Sequence, residues 1–169
     1  MRLGLLQLNP VVGDIAGNAG RIAQAYAKAV AGGAELCLTP ELAMTGYPPR
    51  DMLLYRGFAQ AAWSAARELA ARLQADFPSG PPLLLGCPEA NESGQGKALF
   101  NAALLLKRGC EERTFRQALL PTYDVFDETR YFEPGTTSTV FPFKGLQCGL
   151  TICEDIWWSS ETYQSNPLK

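Results

Sequence analysis

Leu3-Gly4-Leu5-Leu6-Gln7-Leu8-Asn9-Pro10 and, some 25 residues on, Glu35-Leu36-Cys37-Leu38-Thr39-Pro40-Glu41 are the stretches whose reading decides the class of fold. The first is a short apolar run halted by Asn9-Pro10, the pattern of a strand buried on both faces. Between the two, Ile22, Ala25, Tyr26, Ala29 and Val30 recur at helical spacing, with Asn18 placed to cap the helix and Gly32-Gly33 to end it. Strand, helix, strand within about 40 residues is a βα unit of an α/β protein.

Working outward, Thr45-Gly46-Tyr47-Pro48-Pro49-Arg50-Asp51 is a loop, and Phe58, Ala61, Ala62, Ala65, Ala66, Leu69 and Leu73 mark a second amphipathic helix ended by Phe77-Pro78-Ser79-Gly80. Leu83 to Gly86 is another buried strand. Leu99 to Leu106 and Arg113 to Leu119, joined through Lys107-Arg108-Gly109-Cys110, predict a hairpin; Thr139 to Phe143 and Leu146 to Ile152, joined by Lys144-Gly145, predict a second. Ser159-Ser160-Glu161-Thr162-Tyr163 reads as a helix start.

Composition narrows the chemistry. The 169 residues are 47% hydrophobic and 19% charged, carry a formal charge of -2 and have a mean hydropathy of -0.07. This is the balance of one globular domain with no basic block to attract nucleic acid or a membrane. Histidine is absent, which excludes Ser-His-Asp and Cys-His catalysis and any zinc site needing imidazole. The cysteines, Cys37, Cys87, Cys110, Cys148 and Cys153, form no C-x-x-C pair, so neither a disulfide framework nor an all-cysteine zinc site is expected. The N-terminal apolar run is too short for a signal-peptide core, and a reduced, cytoplasmic setting is the expectation.

Reactive groups stand at two strand ends. Glu41 follows Leu36-Cys37-Leu38-Thr39-Pro40, and Cys153 follows Leu150-Thr151-Ile152. Carboxyl ends of strands are where α/β sheets build sites. Glu41 is either a general base or a solvated loop carboxylate. Cys153 is either a small hydrophobe or a thiolate whose following N–H groups stabilise an oxyanion, if the chain turns sharply there. The segment from Leu119 to Gly135 is too long, aromatic and acidic for a plain connector. It either docks its aromatics on the core or walls a small polar pocket in which Tyr123 and Glu128 face a substrate's ammonium group. Gly94-Gln95-Gly96-Lys97 is no phosphate loop: Asn91 replaces the leading glycine and Ala98 the Ser/Thr.

Pro40-Glu41-Leu42 with Thr45-Gly46-Tyr47-Pro48, the loop Leu120-Pro121-Thr122-Tyr123-Asp124-Val125-Phe126-Asp127-Glu128, and Cys153-Glu154-Asp155-Ile156-Trp157 together resemble the carbon–nitrogen hydrolase (nitrilase) superfamily. Within it they are similar to the glutaminase domains of glutamine-dependent NAD+ synthetases. The resemblance implies an α-β-β-α sandwich, here apparently truncated after the nucleophile strand, with residues 1–169 an incomplete hydrolase domain and the synthetase domain absent. It implies Glu41 as general base and Cys153 as the nucleophile that forms a γ-glutamyl thioester. Tyr123 and Glu128 would hold glutamine, Tyr47 and Phe126 line the same pocket, and the Glu154 N–H serve the oxyanion. No metal is implied. ATP and magnesium belong to the missing synthetase domain, which with glutamine is the implied partner, and the complete protein would be a homo-oligomer.

One departure stands out. The family's catalytic lysine lies four residues before the Pro of the Leu-Pro motif, and here that position is Gln117. A Gln amide donates a hydrogen bond but carries no charge. Losing one oxyanion donor typically costs about 2.7–4 kcal/mol, roughly 100–1000-fold in rate. A binding-competent, weak or inactive glutaminase is therefore expected; a stand-alone nitrilase-like amidase and a degenerate, non-enzymatic homologue are the alternatives.

Overall fold

The computed structural model describes residues 1–137 and 139–157, apart from the side chains of Cys110 and Glu111. The helix start read at Ser159-Ser160-Glu161-Thr162-Tyr163 and the Cys110 thiol lie outside the described residues.

One sheet of five strands runs in the order β1 (Leu3–Leu5), β2 (Leu36–Leu38), β3 (Leu83–Ala90), β4 (Leu99–Lys107), β5 (Cys110–Arg116). The first pairings are parallel and those of β4 are antiparallel. Parallel strands need crossovers, and the helices α1 (Ile15–Ala31) and α2 (Phe58–Asp76) supply them. Both helices bury one stripe on the same side of the sheet. Ile22 and Tyr26 of α1 and Ala62, Ala66, Leu69 and Leu73 of α2 pack with Cys37, Leu83, Leu85, Cys87, Leu104 and Leu106. Alanines on α2 let it lie close to the strands.

The opposite face is covered by a two-stranded sheet, β6 (Val140–Phe143) and β7 (Leu146–Gly149). Phe141 packs on Phe115 of β5, ring centroids 5.1 Å apart, in a cluster with Leu36 and Leu84. The layers thus run helices, sheet, sheet. At the β6–β7 turn Lys144 pairs with Glu35 at the start of β2, pinning the second sheet to the first.

Both hairpins turn on residues with positive φ, Arg108 (53°) with Gly109 (77°) and Lys144 (48°) with Gly145 (77°). Left-handed pairs of this kind form the tight turns whose twist matches antiparallel strands. The first turn fixes Lys107 opposite Cys110, so β5 begins at Cys110 and ends at Arg116, not at Arg113 and Leu119. After a last bond from Gln117 N–H to Asn101 C=O at 2.9 Å the chain leaves the ladder.

Two further expectations change. Helix α1 is capped by Asp14, whose Oδ1 accepts from Gly17 N–H at 2.9 Å. Asn18 is instead buried, accepting from Val11 N–H and donating to the carbonyls of Val11 and Met44. β1 is not buried on both faces. Among the described residues it stands at the edge of the sheet, paired with β2, and Leu5 is 70% exposed. Leu3 and Leu5 share a face with their partners Leu36 and Leu38, but among the described residues the second sheet stops short of them.

Candidate active site

Glu41 is placed by a bend after β2. Thr39 Oγ1 accepts from Gly86 N–H at 2.9 Å, and Met44 N–H donates to Gly86 C=O at 3.1 Å. A Cβ at Gly86 would stand 2.5 Å from both Leu42 N and Pro40 O, so only glycine lets the Pro40–Leu42 turn lie against β3. That contact delivers the carboxylate to the carboxyl end of the parallel strands.

Cys153 is placed by a sharp turn. The chain leaves β7, Leu150 N–H still donating to Thr139 C=O at 3.1 Å, and enters a short 3-10 turn, Cys153–Trp157. Cys153 itself has φ of 49°, a conformation uncommon for a side-chain-bearing residue and frequent at functional sites. Cys153 remains exposed as a residue, its thiol partly desolvated beside the Glu41 carboxylate and the backbone N–H of Glu154.

Asp155 locks this turn to the loop that follows β5. Its Oδ1 accepts from Ala118 and Leu119 N–H at 3.0 and 2.9 Å, and its Oδ2 from Ile152 N–H at 3.1 Å. Burial raises its carboxyl pKa and the backbone donors oppose that. Asp155→Ala would strand these donors, of which those of Leu119 and Ile152 are buried. Unmet buried donors cost about 1–3 kcal/mol each. Urea denaturation should show Asp155→Ala less stable by on the order of 3 kcal/mol, with a smaller loss for Asp155→Asn.

The loop residues gather on one side of this pair. Tyr47 donates its O–H to Glu128 Oε1 at 2.9 Å, joining the loop after β2 to the loop before β6. Glu128 is 6% exposed, and its other oxygen, Oε2, has no hydrogen-bond partner among the described residues. Tyr123 donates to Glu154 Oε2 at 2.7 Å and its ring meets Phe126 edge-on at 5.7 Å. A cavity of about 420 Å³ opens beside Tyr47, Asp127 and Glu128. Glu41 and Cys153 do not line it; Tyr47 and Glu128 are the wall it shares with them.

Gln117 is 1% exposed. Its Nε2 donates to Ile152 C=O at 3.2 Å, one residue before the thiol, and its Oε1 accepts from Asn101 Nδ2 at 2.9 Å. The neighbouring Arg116 points to the helical face, where it grips Glu89 through Nε and a terminal nitrogen at 2.6 and 2.7 Å and stacks on Phe100. One step along a strand reverses the face, so Arg116 brings no charge to Cys153.

The groups that raise Glu41 and Cys153 are therefore burial and carboxylates. Burial, then Glu128 and Asp155, push the Glu41 carboxyl up to about 7, against the hydrogen bonds from Asn101 and Cys153. Burial, then Glu41 and Glu128, push the Cys153 thiol up to about 12, against the Glu154 N–H. The Tyr47 phenol is raised by burial and Glu128.

Of the residues singled out in the sequence, Glu41, Gln117, Cys153 and Glu154 meet at the strand ends and Tyr47 and Glu128 form the adjoining wall; Tyr123 reaches Glu154 and Phe126 packs on Tyr123, and neither lines the cavity beside Tyr47 and Glu128. Sequence reasoning missed Asn101 and Asp155. Asn101 was visible as the one polar residue inside the apolar run of β4, and Asp155 as a second acid after the cysteine. No group of three or more Cys, Asp or Glu among the described residues is arranged to hold a metal. In the Gly94–Lys97 loop the Lys97 N–H donates to Glu133 Oε2 at 2.8 Å, which sets a carboxylate where a phosphate loop would hold its phosphate. No described helix is long and apolar enough to cross a membrane.

Comparison with known proteins agrees with this layout. Residues 2–166 match the carbon–nitrogen hydrolase family. The chain is 43% identical over 175 residues to a glutamine-dependent NAD(+) synthetase of Synechocystis sp., covering 98% of this chain and 30% of that protein. Among solved structures, the glutamine-dependent NAD+ synthetase of Acinetobacter baumannii, in complex with ADP, superposes with a TM-score of 0.78 at 32% identity, over 92% of this chain and 28% of that one. An amidase from Nesterenkonia sp. superposes with a TM-score of 0.73 at 26% identity, over 94% and 57%. The chain spans about a third or less of the synthetases it matches. With the helix-sheet-sheet layering, the strand-end Glu and Cys and a match along almost its whole length, the chain belongs to the carbon–nitrogen hydrolase family, with the nitrilase-like α/β fold.

Proposed function

We propose that this chain carries the glutaminase site of a glutamine-dependent NAD+ synthetase, cleaving the side-chain amide of glutamine so that ammonia reaches an ATP-dependent synthetase domain that converts deamido-NAD+ to NAD+. The observation that carries the proposal is the placing of the Glu41 carboxylate beside the thiol of the left-handed Cys153 turn, close enough for each to shift the other's titration, next to a buried carboxylate, Glu128, with one oxygen unpartnered among the described residues. A free amino acid amide carries a cation at the end remote from the amide, and Glu128 is placed to receive it.

In this mechanism Glu41 takes the Cys153 proton as sulfur attacks the amide carbon, and the Glu154 N–H faces the oxyanion. The proton passes from Glu41 to the departing nitrogen, ammonia leaves and a γ-glutamyl thioester remains. Glu41 then deprotonates the water that hydrolyses it, releasing glutamate. Gln117 contributes a neutral donor where a cation would favour both thiolate and oxyanion, so turnover is slow. The similarity to synthetases and the buried Glu128 favour glutamine over a simple aliphatic amide.

A glutamine-analogue diazoketone tests the reading. It should label Cys153, as located by mass spectrometry, and glutamine should protect. Hydrolysis of propionamide without hydrolysis of glutamine would instead make the chain an amidase of small amides. No labelling of a folded chain would make it a non-enzymatic homologue.

A further inference from the structure

β4 is apolar from Leu99 to Leu106 but for Asn101, which is 1% exposed. A lone amide buried in such a strand needs partners. Asn101 Nδ2 has them: it donates to Glu41 Oε1 at 2.5 Å and to Gln117 Oε1 at 2.9 Å, which uses both of its hydrogens. Its Oδ1 is buried with no partner among the described residues. A flipped amide would satisfy nothing, because it would press Oδ1 against two acceptor oxygens. The orientation is therefore dictated by Glu41 and Gln117, and the unmet acceptor is tolerated for their sake. Because the Gln117 oxygen is engaged, its Nε2 faces Ile152 C=O at 3.2 Å, toward Cys153.

We infer that Asn101 is a positioning residue of the hydrolytic site, its one nitrogen holding the Glu41 carboxylate against the Cys153 thiol while turning the Gln117 donor toward the nucleophile end of the chain. The inference rests on the amide-hydrolysis reading. Asn101 acts through Glu41 and Gln117, the two side chains it holds. Its donated hydrogen bond favours ionised Glu41, whereas Glu128 and Asp155 oppose ionisation, and Cys153 and Tyr47 are the other titratable groups coupled to Glu41. A merely structural asparagine would leave the titration of Glu41 unchanged when replaced.

The test uses the full chain with carboxyl-labelled glutamate, the Glu41 signal being the one lost in Glu41→Gln. In Asn101→Ala the Glu41 midpoint should move upward, and in Asn101→Asp, which sets a like charge beside it, further still. Glutamine turnover should fall by about 10–100-fold in kcat with KM little changed, the signature of an effect confined to the chemical step. Asn101→Ser, which keeps a single donor, should lie between wild type and alanine, and replaces it if the alanine chain does not fold. A folded Asn101 variant with an unmoved Glu41 midpoint would overturn the inference. Absence of glutamine turnover in the wild-type chain, with the midpoint moving as expected, would defeat the glutaminase reading and leave the positioning of Glu41 standing.

Discussion

Gln117→Lys should raise the rate of glutamine hydrolysis by about 100–1000-fold, the range associated with one charged or hydrogen-bonding stabiliser of an oxyanion. Residue 117 is buried, and its side-chain nitrogen lies 3.2 Å from the carbonyl of the residue before Cys153. Glu41, Glu128, Glu154 and Asp155 are acidic groups of the site, so a lysine ammonium there enters a cluster of carboxylates with which it can pair. Buried ammonium groups persist only when so paired. The same charge should draw the Cys153 thiol down from about 12 and the Glu41 carboxyl down from about 7. Two measurements follow: steady ammonia release from glutamine, and the pH dependence of Cys153 alkylation, whose rise should move to lower pH in the lysine variant. Equal rates and superimposable alkylation profiles for the two proteins would show that residue 117 has no electrostatic role.

Glu41→Gln should lower turnover by about 100–10,000-fold, the usual contribution of a positioned proton carrier, and yet stabilise the fold at alkaline pH. The carboxyl ordinarily titrates at 4.5 and in the folded chain at about 7. A raised carboxyl means that folding favours the protonated form. Its contribution to stability is therefore fully present below about pH 4.5 and is lost as pH rises through about 7. Glutamine at position 41 still accepts from Asn101 and never ionises. Denaturant unfolding of wild type and Glu41→Gln should thus coincide near pH 4.5 and diverge by pH 8, the variant being more stable there by on the order of 2 kcal/mol. A difference independent of pH would mean that Glu41 titrates in the folded chain as it does in solution.

Much of the architecture was legible from local patterning. The helical stripes of α1 and α2, the first βα unit, the two-residue turns at Arg108-Gly109 and Lys144-Gly145, and the strand-end positions of Glu41 and Cys153 follow from short-range periodicity and turn chemistry. Errors arose where a residue's state depends on what lies across space. Leu3 and Leu5 are as apolar as Leu36 and Leu38, but among the described residues β1 has a single neighbour and the second sheet does not reach its outer leucines. Asn18 has the chemistry of a cap, yet Asp14 takes that position and Asn18 ties Val11 to Met44 instead.

The candidate site divides the same way. Residue types alone, with no histidine, one glutamate and one cysteine after strands, and Gln117 where a lysine is expected, determined which chemistry this chain can attempt and which charge it lacks. Only the tertiary structure decided that Asn101 joins Glu41 to Gln117, that Asp155 ties the nucleophile turn to the loop after β5, and that Glu128 is buried with an open oxygen. Those contacts link residues 16 to 81 positions apart. Hydrogen bonds and desolvation depend on distance in space, and no period or motif along the chain encodes which distant polar groups will meet once the sheets pack.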